Sequence, residues 1–270
     1  MSDPLATAPT GIDNNEKEKM KVVTKHPWCV SSADFLQPIG AVNDDTTNNE
    51  YINTIEEHFQ GKKISSLELG CAGGQIVADL INHGHDAYGL EGTPYPLELG
   101  RPAWSQYYNT RLFHCDLSKP FRLLDEQGED YQFDLISHWE FLEHLPTDCL
   151  KYFHAKLYLH LKDEGVVLCG ICPWGAFTDI TQLPVGHPDR SEEKLQIYLD
   201  DVEARGHAHH QSCFFRHQWE ADYFSDFFET FDYDLKGKLR EDESSFNCIL
   251  KKKIGEQYIN LAQRYIEEYE

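Results

Sequence analysis

Long apolar runs are missing from this chain of 270 residues. No stretch approaches the roughly 20 residues that span a bilayer, and the N-terminus lacks the apolar core of a secretory signal. A soluble, cytoplasmic protein with no membrane partner is the expectation. Positive charge is scarce too. Lys and Arg number 24 against 46 Asp and Glu, a formal net charge of -22. A surface this acidic repels phosphate backbones, which disfavours nucleic acid as a partner. The dense basic run Lys251-Lys252-Lys253 ends an expected strand and reads as a solvated strand end. The eight cysteines are scattered, without the close spacing of a disulfide scaffold, and suit a reducing compartment. Cys169 and Cys172 form a Cys-x-x-Cys pair inside the apolar run from Val166. Buried strand thiols explain that pair better than a redox or zinc site does. No internal repeat is visible.

What is present is enough for one α/β domain. Hydrophobic residues make up 40% and aromatics 13%, and a chain of this length buries roughly three quarters of its unfolded surface. Residues 1–25 are polar and aperiodic, and are expected to be a disordered tail. A domain is expected over 26–253, with a lid-like insertion at 173–212 and a C-terminal helix at 254–270. Strand-like runs fall at Ile64–Leu69, Ala87–Leu90, Leu112–Cys115, Phe133–Ser137 and Gly165–Ile171, with a later antiparallel pair at Phe231–Leu235 and Phe246–Leu250. Helical patterns fall at Asn49–Phe59, Gln75–Asn82, Leu97–Tyr107, Leu150–Leu161, Glu192–Ala204 and His217–Phe228. Such alternation predicts a Rossmann-like, doubly wound α/β sheet, mostly parallel with an antiparallel last strand.

The most informative segment is Leu67-Glu68-Leu69-Gly70-Cys71-Ala72-Gly73-Gly74. It joins a buried strand to a helical pattern through glycines that allow a sharp turn and close approach of a ligand. Glu91 ends the next strand, roughly 20 residues on, where a carboxylate accepts hydrogen bonds from a ribose diol. Asp116 ends the third, where a carboxylate can accept an adenine amino group. A nicotinamide-dependent dehydrogenase fits less well, because Val77 stands where its last glycine would fall and Asp116 has no role in it.

Together these motifs resemble the class I S-adenosylmethionine-dependent methyltransferases of the small-molecule or glycan type. The segment Ile136-Ser137-His138-Trp139-Glu140-Phe141-Leu142-Glu143-His144-Leu145-Pro146 is similar to the motif after that family's fourth strand. Ala72 replaces a usual glycine. The resemblance implies S-adenosyl-L-methionine as cofactor, held by Glu68, Gly70, Cys71, Ala72, Gly74, Glu91, Gly92, Asp116, Leu117 and His138. It implies O-methylation of a small-molecule or glycan acceptor, with His144 and His210 as candidates to remove the acceptor's proton. No metal ligand and no oligomeric state are assigned. Two other readings start from the same residues. Glu140, Glu143, His144 and a distant histidine also resemble the divalent-metal site of small-RNA 3′-end methyltransferases. The third is a non-catalytic cofactor-binding protein.

Overall fold

The computed structural model describes residues 20–29, 49–139, 141–171, 223–232 and 246–270. In chain order these form β1 (Lys21–Thr24), α1 (Asn49–His58), β2 (Ser65–Leu69), α2 (Gln75–Asn82), β3 (Asp86–Glu91), α3 (Tyr95–Glu98), α4 (Pro102–Tyr107) and β4 (Leu112–His114). They continue with β5 (Phe121–Leu124), β6 (Phe133–Trp139), α5 (Leu150–His160), β7 (Leu161–Ile171), β8 (Phe228–Asp232), β9 (Phe246–Lys252) and α6 (Glu256–Tyr269). Seven strands make one sheet in the order β4-β3-β2-β6-β7-β9-β8. β4, β3, β2, β6 and β7 are parallel, and β9 runs against both its neighbours. The order reverses between β2 and β6, so a crevice opens there at the carboxyl ends of the strands.

Alternation along the strands loads both faces. Leu67, Tyr88, Ile136 and Val167 join one buried cluster with residues of α5 and α6, while Ala87, Leu112, Leu135 and Leu168 join another with α1, α2 and α4. α2 sends Val77, Ala78 and Leu80 into the second cluster. It stops where Gly84 takes a φ of +87°, the left-handed turn that glycine tolerates.

Several expectations need correction. The polar tail expected through residue 25 ends earlier: Met20 is buried and β1 pairs antiparallel with β5, a strand the reading also missed. Both are four-residue strands with only alternate positions facing inward, too short for a pattern to stand out. The helix expected at Leu97–Tyr107 is two short helices. Gly100 adopts φ +65°, and Pro102 holds Arg101 in an extended conformation. The strand expected at Phe231–Leu235 begins at Phe228, because Phe227 and Phe228 are buried and Phe231 faces out. Phe228 therefore leaves the helix expected at His217–Phe228. The expected lid at 173–212, its helix at Glu192–Ala204 and His210 lie outside the described residues. Cys169 faces Cys248 across the β7–β9 pair, Sγ to Sγ 3.0 Å, both buried; Cys172 is outside the described residues. Among those residues, no helix is long and apolar enough to cross a membrane.

Candidate cofactor site at the carboxyl edge of the sheet

The turn after β2 is built from three residues with positive φ: Gly70 at +67°, Ala72 at +45° and Gly74 at +80°. Gly70 and Cys71 donate their N–H groups to Leu90 O at 2.9 and 3.1 Å, tying the turn to the end of β3. A Cβ on Gly70 would lie 2.5 Å from the Phe141 ring, and one on Gly74 would lie 2.7 Å from Leu112. Ala72 bears a side chain in a conformation that disfavours one, and it is gripped on both sides. Its N–H donates to Glu91 Oε2 at 2.8 Å, and its carbonyl accepts the Trp104 indole N–H at 2.8 Å.

Glu91 is thus a bracket as well as an acceptor. Its Oε1 accepts the Thr93 N–H at 3.1 Å. Burial pushes its carboxyl above the ordinary range, opposed by the backbone N–H groups of Ala72, Thr93 and Gly92 and by the nearby His144. At the end of β4, Asp116 is buried, and its Oδ1 accepts the Ser118 N–H at 3.0 Å and the Ser118 hydroxyl at 2.6 Å. The Tyr269 hydroxyl of α6 donates to Ser118 O at 2.7 Å. His26 O accepts the Asp116 N–H at 2.8 Å.

A glycine turn and two acidic strand ends thus line one edge, on the strand order of a doubly wound sheet. Residues 67–167 match the family profile described as "Methyltransferase domain". The segment from β2 to β7 is thus similar to a methyltransferase domain. A ubiquinone biosynthesis O-methyltransferase of Pasteurella multocida (strain Pm70) is 29% identical over 161 residues, which cover 58% of this chain and 63% of that protein. One of Haemophilus ducreyi (strain 35000HP / ATCC 700724) is 28% identical over 156 residues, with the same coverage of 58% and 63%. The chain therefore spans less than two thirds of the length of these curated relatives. The PH0226 protein of Pyrococcus horikoshii OT3 shares the fold, with a TM-score of 0.52 at 12% identity over 81% of this chain and 98% of that one.

In this chain the sequence-predicted cofactor residues divide by position. The Gly70–Gly74 turn, Glu91, Gly92 and Asp116 sit together along the edge. Glu68 is buried within β2, where the Ser137 hydroxyl of β6 donates to it, so it ties strands together beneath the turn. Cys71 is buried with its Sγ over Gly89, at 2.8 Å from where a Cβ there would stand. Leu117 is a core residue of the α5 face. His138 departs from its expected role. Its ring is fully buried near Phe141 and Phe153, with centroids 6.2 and 6.4 Å away, and burial lowers its pKa to about 3. The side chain is a neutral core group, so only its backbone is left to the strand end.

His144 closes a single 3-10 turn, Leu142–His144, and its side chain is half-buried. Its N–H donates to Phe141 O at 3.0 Å. Glu140 and the Glu143 side chain lie outside the described residues. Sequence reasoning missed Thr93, Ser118 and Tyr269. The Asp116-Leu117-Ser118 spacing was a signal, since an Asp side chain commonly bonds the backbone two residues on. Tyr269 reaches the site from a distant part of the chain.

The residues fit an adenosyl cofactor. Gly70 packs under the Phe141 ring and Gly74 against Leu112, so their missing side chains let the turn fold tightly beside the acidic strand ends. Glu91, bonded to the N–H groups of Ala72, Thr93 and Gly92, keeps lone-pair capacity for a ribose hydroxyl.

Proposed function

We propose that this chain binds S-adenosylmethionine along the β2–β3–β4 edge and methylates a hydroxyl oxygen of a small organic acceptor. The observation that carries the reading is the pairing of the left-handed turn with Glu91, joined by the bond from Ala72 N to Glu91 Oε2 at 2.8 Å. Such a bond holds a ribose acceptor in place before any ligand arrives. When bound, the cofactor supplies an electrophilic methyl carbon on a sulfonium.

The chain's residues do the rest. Glu91 accepts from the ribose hydroxyls. Asp116, one oxygen held by Ser118, accepts from the adenine amino group through the other. The turn at 70–74 holds Ala72 against Glu91. Phe141, packed over Gly70, and the aromatic pair Tyr51–Trp139, with ring centroids 5.3 Å apart, wall the mouth against water. His144 lies near Glu91, and in its neutral form it takes the acceptor's proton as general base. Orientation of the acceptor is worth roughly 7–11 kcal/mol in reactions of this kind. An oxygen acceptor is supported by the relatives' names and by a base able to remove a hydroxyl proton near neutral pH.

Calorimetry with S-adenosylhomocysteine on the wild type and on Asp116→Ala tests the binding half. Loss of a hydrogen bond to a charged group is expected to weaken affinity by about 1.5–3 kcal/mol. Methyl transfer to catechol-type phenols, run beside an RNA oligonucleotide bearing a free 3′ end, tests the acceptor. Wild-type protein without uptake, or labelling confined to the RNA, would sink the proposal.

A further inference from the structure

None of the motifs at the strand ends calls for the chain that precedes the sheet, yet residues 26–29 are stitched to two of those ends. His26 O accepts the Asp116 N–H, and the Cys29 N–H donates to Gly92 O, each at 2.8 Å. The segment therefore bridges the end of β3 to the end of β4, across the gap that an adenine base would enter. Gly92 leaves an opening that a side chain would normally fill. Cys29 occupies it: a Cβ built on Gly92 would lie 3.0 Å from the Cys29 Cβ.

Trp28 anchors this segment. Its ring lies 4.4 Å, centroid to centroid, from that of His114. His114 stacks at 4.5 Å on Trp104, with 19° between the planes. The His114 imidazole is buried and packs between the two indoles. Trp104 passes the contact on through its bond to Ala72 O. A continuous set of contacts thus runs from the N-terminal segment to the left-handed residue of the cofactor turn.

We propose that His26–Cys29 forms the outer wall of the adenosine subsite, with Cys29 as a contact residue for the base and Trp28 as the positioning residue that holds the wall in place. The proposal rests on the adenosyl reading of the strand ends. It gives this chain a cofactor contact that its strand-end motifs do not encode.

Alkylation tests it on the full-length chain. Iodoacetamide labelling of Cys29, followed by peptide mass spectrometry, should slow at least about fivefold under saturating S-adenosylhomocysteine. Trp28→Ala should raise the KM for S-adenosylmethionine and the calorimetric Kd for S-adenosylhomocysteine by about three- to tenfold, the scale of one lost aromatic packing contact. Its kcat and melting temperature should stay near wild type, and Trp28→Phe should recover most of the affinity. Unchanged Cys29 labelling, together with a Trp28→Ala affinity within twofold of wild type, would overturn the wall. Tighter binding by Trp28→Ala would also overturn it, by making the segment a plug that the base must displace. Wild type without any calorimetric uptake is a separate result. It would remove the adenosyl reading itself and take this proposal with it.

Discussion

Glu91 spends one lone pair of each carboxylate oxygen on the protein's own backbone, Oε2 on Ala72 and Oε1 on Thr93. A glutamine cannot do the same, since its amide nitrogen would face an N–H. Glu91→Gln should therefore cost cofactor affinity and also about 1–3 kcal/mol of folding stability, the penalty for an unsatisfied buried donor. Urea melts beside calorimetry would reveal both losses; an unchanged melt would mean that the bracket contributes nothing. His144 answers a different question. As a general base it should contribute on the order of 100-fold to turnover, so His144→Ala should lower kcat by that order while S-adenosylhomocysteine affinity stays nearly intact. Equal losses in kcat and affinity would make it a structural partner of Glu91 instead. At this scale the acidic strand ends were legible in sequence, because an isolated carboxylate after an apolar run is conspicuous. Their supports, Thr93 and Trp104, were not, since nothing local distinguishes a threonine or tryptophan that reaches a distant backbone group.

Helix α2 begins directly from Gly74, whose φ of +80° and 2.7 Å clearance to Leu112 leave no room for a side chain. Gly74→Ala combines a left-handed cost of roughly 1–2 kcal/mol with displacement of Leu112. The expected outcome is a destabilisation of about 2–4 kcal/mol by chemical denaturation, since overpacking alone costs about 1–3 kcal/mol. A variant as stable as wild type would show that the turn relaxes freely. Elements with strong local patterns were readable: α2 matches its predicted span, and β2, β3, β4, β6, β7 and β9 lie where apolar runs placed them. Elements defined by their partners were not. β1 exists because Lys21–Thr24 finds Phe121–Leu124, a pairing in which the partners are about a hundred residues apart. The break between α3 and α4 was written in Gly100 and Pro102, but the apolar spacing on either side outweighed it.

Across the molecule, alternating strands and helices imply a mostly parallel, doubly wound sheet, and the sequence carried that much. It did not carry how many histidines the core would take. His114, His154 and His160 are pushed down to about 4 and His138 to about 3, all chiefly by burial. Unfolded, each returns to the ordinary 6.5. Below that pH the unfolded chain binds protons that the folded chain refuses, so this stabilisation is complete above about pH 6.5 and drains as the pH falls towards 4. With four such groups the slope approaches about 5 kcal/mol per pH unit, enough to exhaust an ordinary domain's stability of about 5–15 kcal/mol. Urea midpoints measured at pH 7.5, 6.0 and 5.0 should fall steeply; a flat series would mean that these rings are not neutral in the fold. One further consequence lies in the order of synthesis. Tyr269 supports the Asp116 turn through Ser118 O at 2.7 Å and stacks on Tyr152 at 4.5 Å. A nascent polypeptide therefore exposes both acidic strand ends to solvent well before the ribosome delivers the aromatic prop that steadies one of them.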